Sequence, residues 1–545
     1  MMHRNKSVNV HQFAMVPRAD IPRASFNIQK AHKTTFNAGE LIPVYCEEIL
    51  PGDTFRVKMT AFARLSTPIF PIMDNMYLDS FFFFVPNRLV WDNWVKFMGE
   101  QKDPTDSISF VVPTVTSGTG GFDNNSIYDY FGIPCFGQTD AASTLEVNSL
   151  PFRAYNLIYN EWFRDENLQT PVEVNTADTG DVEADFNIMR RGKRHDYFTS
   201  CLPWPQKGNV AITLPLGTSA PVYTQEVAHD PGTTPFPMYL RRAADSTAPP
   251  NNVALAVNAG EVGASTTAIT MGTANDLAPS NLYADLSEAT AATINQLRTS
   301  FQIQRLLERD ARGGTRYTEL IRAHFGVLSP DARLQRPEYL GGGSTPLIVN
   351  PVVQSSATAL DGSDTPLGNL AAVGTLLANR HGFTQSFTEH GFVIGMVCVR
   401  ADLTYQQGLR KMWSRSTRYD YYFPAFANLG EQAVLRKEIF SNGTANDEVV
   451  FGYQERWAEY RYSPSQISGE FKSYVSGTLD AWHLAQYFNT GAPTLGNEFI
   501  SENPPMTRIL AAGSNAPHFI FDSFFDMQCA RPMPLYSVPG LIDHF

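Results

Sequence analysis

The clearest alternation in the chain runs from Phe55 to Arg64, where Phe55, Val57, Met59, Ala61 and Ala63 alternate with Arg56, Lys58, Thr60 and Arg64. A period of two predicts a strand with one apolar and one polar face. The next segment, Met76 to Val85, carries four continuous phenylalanines and is closed by Pro86, which predicts a strand covered on both faces. Helical spacing then takes over: Asn148-Ser-Leu-Pro151 offers capping residues and an early proline, followed by Tyr155, Ile158, Tyr159, Trp162 and Phe163. That aromatic stripe reads as core. Ile294, Leu297, Phe301, Leu306 and Leu307 mark a second helix ending before Gly313-Gly314, and Tyr317 to His324 a third, ending at Gly326. His195 to Pro205 reads as an irregular, proline-braced packing segment, followed by a short strand at Val210 to Leu214. Residues 327–390, with Leu340-Gly-Gly-Gly-Ser344 and Asp361-Gly-Ser-Asp-Thr-Pro366, read as turns. The C-terminal third returns to strands at Phe392 to Val399, Trp457 to Tyr462 and His518 to Phe525, the last with Phe519, Phe521 and Phe525 on one face.

Strands at both ends with helices and long loops between predict one β-sandwich interrupted by insertions, of the kind in which strands distant in sequence share two packed sheets. Two segments stand apart. Residues 1–40, with Pro17 and Pro22 and little periodicity, read as an extended N-terminal arm, leaving 41–545 as a single discontinuous domain. Residues 215–292 shift to Ala, Thr, Gly, Ser, Asn and Pro with a single phenylalanine, Phe236, too little for a core of their own. They read as a surface insertion, loosely ordered through short runs such as Val253 to Val257 and Thr267 to Thr270.

Composition sharpens this picture. Apolar residues make up 43% of 545 and charged residues only 18%, with 37 Phe, 22 Tyr and 7 Trp. Low charge with many aromatics fits a large β protein, and equally a subunit that hides surface against neighbours. The net charge of -12 argues against a surface that binds nucleic acid everywhere, but the charge is unevenly spread. Between Met1 and Gly39, Arg4, Lys6, Arg18, Arg23, Lys30 and Lys33 face a single acid, Asp20, whereas Ala243 to Leu297 contains no Lys or Arg. A second cluster, Arg190, Arg191, Lys193 and Arg194, lies beside Tyr197 and Phe198. These ten cations are candidate contacts for nucleic acid, by phosphate neutralisation and base stacking, and the second cluster serves equally as an intersubunit ion-pair patch.

Enzyme chemistry finds little support. No phosphate loop, dinucleotide fingerprint or H-E-x-x-H is present, and no carboxylate pair stands out as acid and base. His195 with Cys201 reads as packing, His381 with His390 as a weak metal pair, and Asp361 with Asp364 as a turn. No cofactor or metal is expected. Five scattered cysteines without a CxxC pair read as thiols of a reducing compartment, and neither a signal peptide nor a membrane-spanning run is evident. A secreted carbohydrate-binding protein or glycosidase fits the aromatics but not the cysteines. An internal scaffolding protein of a larger assembly would be more helical and less aromatic.

Five phrases carry a closer resemblance: Pro17-Arg-Ala-Asp-Ile-Pro-Arg-Ala-Ser-Phe26, Tyr77-Leu-Asp-Ser-Phe-Phe-Phe-Phe-Val-Pro-Asn-Arg-Leu-Val-Trp91, Pro151-Phe-Arg-Ala-Tyr-Asn-Leu-Ile-Tyr-Asn-Glu-Trp-Phe-Arg-Asp-Glu-Asn167, Arg194-His-Asp-Tyr-Phe-Thr-Ser-Cys-Leu-Pro-Trp-Pro-Gln-Lys-Gly208 and Arg336-Pro-Glu-Tyr-Leu-Gly-Gly342. In this order they resemble the major capsid proteins of gokushoviruses, in the Microviridae, over essentially the whole chain. The resemblance implies a mainly β, eight-stranded jelly-roll sandwich with large loop and helical insertions. It implies a non-enzymatic subunit that forms pentamers and a T=1 icosahedral shell around circular single-stranded DNA, bound without sequence specificity, together with internal scaffolding and minor or pilot proteins. It further implies that 215–292 is a protrusion at the threefold axes meeting a host surface receptor, and that the protein belongs to a virion assembled in a bacterial cytoplasm without membrane insertion.

Overall fold

The alternation at Phe55 to Arg64 becomes the central strand of a sheet in the computed structural model, which describes residues 22–208, 294–355, 368–489, 491–514 and 516–536 and six short strands between 222 and 284. The chain divides into two compact units, Met1–Pro205 with Asp310–Phe545, and Gln206–Arg309. In the first unit nine strands build two sheets: β1 (Ala24–Phe36), β2 (Ile42–Ile49), β3 (Thr54–Leu65), β4 (Met76–Pro86), β5 (Glu338–Pro346), β6 (Ile348–Val353), β7 (Leu370–Ser386), β8 (Gly391–Ala401) and β9 (Phe519–Arg531). One sheet has the order β1-β9-β3-β7-β6 and the other β5-β4-β8-β2, with every neighbouring pair antiparallel. Strands β1 to β4 switch sheets at each step, and β7 to β9 do the same. This is the eight-stranded jelly roll, with β6 added as a ninth strand on the β7 edge. The connection from β4 to β5 carries residues 87–337 and that from β8 to β9 carries 402–518.

The inward side of β3 (Phe55, Val57, Met59, Ala61, Ala63, Leu65) packs against Leu78, Phe82 and Phe84 of β4, Val393 and Val397 of β8, and Phe519, Phe521 and Phe525 of β9. Removing one such buried phenylalanine ring costs about 3–5 kcal/mol. The other face of β4 and β8, with Phe83, Val85, Phe392 and Ile394, is covered by a second core that includes Phe152, Tyr155 and Ile158 of α1 (Leu150–Ile158). The phenylalanine run is thus buried on both sides, as its pattern predicts. A π-helical turn, Tyr159–Phe163, continues α1, and Phe83 lies 5.4 Å from Trp162 and 5.9 Å from Phe163 between ring centroids. Helix α2 (Ile294–Gly313) and helix α3 (Tyr317–Phe325) match their periodicity, and Gly326 closes α3 at a φ of 70°.

Three expectations need correction. Residues 24–36 of the expected arm form β1, paired residue for residue with the last strand from Ala24↔Arg531 to Phe36↔Phe519; the partner lies at the far end of the chain, so the local pattern does not reveal it. Residues 327–390 contain the whole of β5, β6 and β7, and the glycine run is strand. A Cβ on Gly343 would meet the His381 ring at 2.6 Å, so these glycines permit close approach of one strand to another instead of marking a turn. Finally, Trp457 to Tyr462 is not a strand: Trp457 has a φ of 71° and a 3-10 turn follows at Ala458–Tyr460, immediately after a strand at Val450–Glu455.

In the second unit the described backbone forms three two-stranded antiparallel pairs: Leu255–Asn258 with Glu261–Ala264, Leu240–Arg242 with Leu277–Pro279, and Val222–Thr224 with Leu282–Ala284. The expected 215–292 insertion falls within this unit. Its predicted run at Val253 to Val257 overlaps the first of these strands, while Val210 to Leu214 and Thr267 to Thr270 lie outside the described residues.

Candidate nucleic-acid interface

The Arg190–Arg194 segment is stitched by its backbone on both sides. Arg191 N–H donates to Gly39 O at 2.9 Å, Lys193 N–H to Ile500 O at 2.7 Å, and Glu502 N–H to Arg191 O at 2.7 Å. Arg191 and Lys193 turn their side chains into the protein, whereas Arg194 is exposed. Arg191 pairs with Asp79 of β4 and lies over the Phe81 ring at 4.9 Å. Arg400 of β8 reaches the same carboxylate at 2.6 Å. Burial opposes the Asp79 charge, but hydrogen bonds from Ser344, Arg400 and Arg191 hold its carboxyl below the usual range. Lys193 is buried, donates to Gln486 Oε1 at 2.8 Å and sits over the Phe499 ring at 4.6 Å. Burial depresses its amine to about 8, against the opposing pull of Glu502 and Asp196. Arg190 donates to Ala38 O and Glu502 O, each at 3.3 Å, and pairs with Glu40 at 3.4 Å. Arg194, more exposed, meets Asp402 at 3.5 Å. Beside this segment lies a groove of about 1150 Å³ lined in part by Arg164, Arg316, Trp162 and Tyr339. Two of its arginines are committed as well: Arg164 and Arg316 share Glu166 at 3.6 and 3.3 Å, and Arg316 donates to Arg164 O at 2.7 Å.

The N-terminal cations divide differently. Arg4, Lys6 and Arg18 lie outside the described residues. Arg23 donates to Thr54 Oγ1 at 2.7 Å and Ala530 O at 3.2 Å, tying the start of β1 to the sheet. Lys30 faces Glu47 at 3.4 Å, with its ammonium 5.8 Å from the Tyr45 ring centroid. Lys33 is exposed and stands 3.3 Å from Asp522 of β9.

Lys33 belongs to a face that the clustering of charge in sequence does not reveal. The outward positions of β3 are Arg56, Lys58, Thr60, Phe62 and Arg64, all exposed. Among the described residues, no ion pair or side-chain hydrogen bond engages Arg56, Lys58 or Arg64. The register sets Lys58 opposite Asp526, Thr60 opposite Phe524, and Phe62 between Asp522 and Leu377. Phe62 is 47% exposed, Phe524 43%, Ile520 55% and Leu377 57%. The signal is present in the sequence, since three of the polar positions of its cleanest strand are basic.

The sequence model of the family described as "Capsid protein (F protein)" matches residues 14–541. The chain belongs to this capsid protein family. It is 49% identical to the capsid protein VP1 of Bdellovibrio phage phiMH2K, over 98% of this chain and 99% of that protein. It is 42% identical to the capsid protein VP1 of Chlamydia phage 1 and 39% identical to that of Spiroplasma virus 4, in each case over 98% of both chains. The resemblance to gokushovirus capsid proteins of the Microviridae is borne out. This is a major capsid protein of such phages, a structural virion component that works as an oligomeric shell and not an enzyme.

The remaining chemical candidates of the capsid protein resolve into packing. His381 sits between Ser80 Oγ at 2.8 Å and Thr345 Oγ1 at 3.0 Å, and burial lowers its pKa. His390 stacks edge-on with Trp94 at 5.7 Å, and Glu389 pairs with Arg88 at 2.6 Å. The Cys201 thiol is buried, donates to Tyr197 O at 3.2 Å and is pushed well above its ordinary pKa by burial, the reverse of what a nucleophile needs; His195 is exposed. Asp361 and Asp364 lie outside the described residues, among which no cluster of three metal-ligating side chains occurs.

Proposed function

We propose that this capsid protein assembles through pentamers into a small T=1 icosahedral shell around a circular single-stranded DNA genome. Relatedness to the VP1 capsid proteins along the whole chain carries the reading. Closed symmetry repeats each modest contact, so that many weak interfaces add up cooperatively. Exposed Trp413, Tyr419 and Tyr421, with Arg415 4.3 Å over the Tyr460 ring and paired to Glu459 at 3.1 Å, have the aromatic and arginine make-up of intersubunit contacts. Internal scaffolding and minor or pilot proteins assist assembly in the bacterial host cytoplasm. The 215–292 insertion forms a protrusion at the threefold axes and engages a host surface receptor. No described helix is long and apolar enough to cross a membrane, and no membrane insertion is part of the reading. Genome contact is non-specific: Arg4, Lys6, Arg18 and the exposed Lys33 supply it, whereas Arg23, Lys30, Arg191 and Lys193 are held within the subunit.

Negative-stain electron microscopy with light scattering on the purified chain, alone and with its phage partners, tests the proposal. Uniform icosahedral particles or pentamers are expected. A stable monomer under all conditions, with scaffold and DNA supplied, would overturn it.

A further inference from the structure

We propose that the outward face of the five-stranded sheet is a platform for single-stranded nucleic acid, with phosphates on Arg56, Lys58 and Arg64 and bases against Phe62 and Phe524. The inference rests on the proposed shell around single-stranded DNA and deepens it by assigning the surface that faces the genome.

Three observations converge on this face. Its cations are uncommitted: no carboxylate lies within ion-pair distance of Arg56, Lys58 or Arg64 among the described residues, although Asp526 stands opposite Lys58 in register. With Lys33 on β1, and with Arg380 exposed at the bulge between Ala378 and His381, five basic side chains meet two acidic ones, Asp522 and Asp526. The excess is positive on a chain whose net charge is -12. Arg56 and Lys58 are two residues apart on this side of the strand, and Arg64 lies six beyond Lys58, past Thr60 and Phe62. Residues two apart on one side of a strand are separated by roughly 6.8 Å, comparable with the step between successive phosphates in an extended single strand. Between Lys58 and Arg64, Phe62 and, opposite Thr60, Phe524 are exposed, with Leu377 and Ile520 beside them. Stacking on such rings tolerates any base, and backbone contacts by Lys and Arg carry no sequence information.

A protein partner is the competing occupant, and the charge pattern disfavours it. On the aromatic surface around Trp413 two cations are matched by the protein's own acids, Arg415 by Glu459 and Arg461 by Glu455 at 2.8 Å, while Arg418 lies over the Phe423 ring. The sheet face leaves its three central cations unmatched, which suits a polyanion.

The test measures binding of a labelled oligothymidylate by fluorescence anisotropy across a salt series. The full-length chain is compared with Arg56→Gln/Lys58→Gln/Arg64→Gln, with Phe62→Ser, and with a control that removes the same charge elsewhere, Lys102→Gln/Arg333→Gln/Arg418→Gln. Each preparation is also imaged for particles. The triple variant should lower the slope of log affinity against log salt by about 2, at about 0.7 per lost phosphate contact. Phe62→Ser should weaken binding by roughly 5- to 150-fold, the effect of losing one stacked base, with assembly intact. Native-like binding by the triple variant overturns the proposal, as does an equal loss in the control. Failure of the triple variant to assemble while it binds DNA normally assigns the face to contact between copies and also overturns it. If the triple variant does not fold, Lys58→Glu alone decides, with native-like affinity counting against the platform. Failure of the unaltered chain to form particles, with oligothymidylate binding confined to this face, strikes at the shell and leaves the platform standing.

Discussion

Arg191 and Lys193 carry the same charge as Arg56 and Lys58, yet the fold treats the two pairs in opposite ways. The first pair belongs to a segment hydrogen-bonded on both flanks, so each cation meets a carboxylate, an amide or a ring inside the protein. The second pair lies on one side of a strand whose other side is core, which leaves alternate residues exposed among the described residues. A run of basic residues in sequence therefore says little about charge available to a partner. What decides is whether the backbone beside the charge is paired across an inward or an outward face.

The comparison is sharpened first at the extreme of the committed class. Arg153 of α1 is wholly buried and makes two bonds to Asp181, at 2.7 and 3.1 Å, and three to the carbonyls of Val90, Ala177 and Thr179. Arg153→Met should destabilise the subunit by about 3–5 kcal/mol, because it strands a buried carboxylate. The denaturant midpoint reports this, and a loss below about 1 kcal/mol would mean that Asp181 finds other partners. Arg191→Ala should cost less, about 1–3 kcal/mol, since Arg400 still holds Asp79. Its oligothymidylate affinity should be unchanged in the folded protein. A drop in affinity would break the comparison by showing that Arg191 also serves nucleic acid.

What the sequence makes legible follows the same physics. β3, β4, β8, β9 and α1 announce themselves because burial imposes its period on them. β1 escapes notice because its pairing with β9 satisfies the backbone while much of its side-chain face stays exposed, so no apolar period is required. β5 is hidden by its glycines, whose role depends on His381 from a strand far along the chain. For the candidate interface, the basic clusters found by adjacency include the residues that the fold consumes. Arg56, Lys58 and Arg64 go unremarked because they are dispersed at a period of two, legible as a face only once the sheet is known.

Acid pH probes the committed class more gently. The folded pKa of Asp79 lies below its unfolded value, so its contribution to stability is fully present above about pH 4 and lost as pH falls through the depressed folded value. Asp79→Asn lacks this titration. The stability gap between the native chain and that variant should therefore be widest near neutrality and narrow progressively below about pH 4. Denaturation midpoints from pH 7 to pH 2.5 test the sign, and a gap that stays constant would remove Asp79 as the anchor of Arg191 and Arg400.

The smallest effect is the most diagnostic of the contrast. Arg56→Gln on the outward side of β3 removes a charge with no described partner, so its unfolding midpoint should shift by no more than about 0.5 kcal/mol, as for other surface substitutions. Removal of one uncompensated cation from a face that already carries Lys58 and Arg64 should be neutral or slightly stabilising in the free subunit, through reduced repulsion. The same substitution should lower the salt slope of oligothymidylate binding by about 0.7. Stability and binding then move independently at Arg56, whereas at Arg191 stability moves alone. Loss of more than about 1 kcal/mol from Arg56→Gln would place this arginine among the committed cations, and the distinction between the two regions would dissolve.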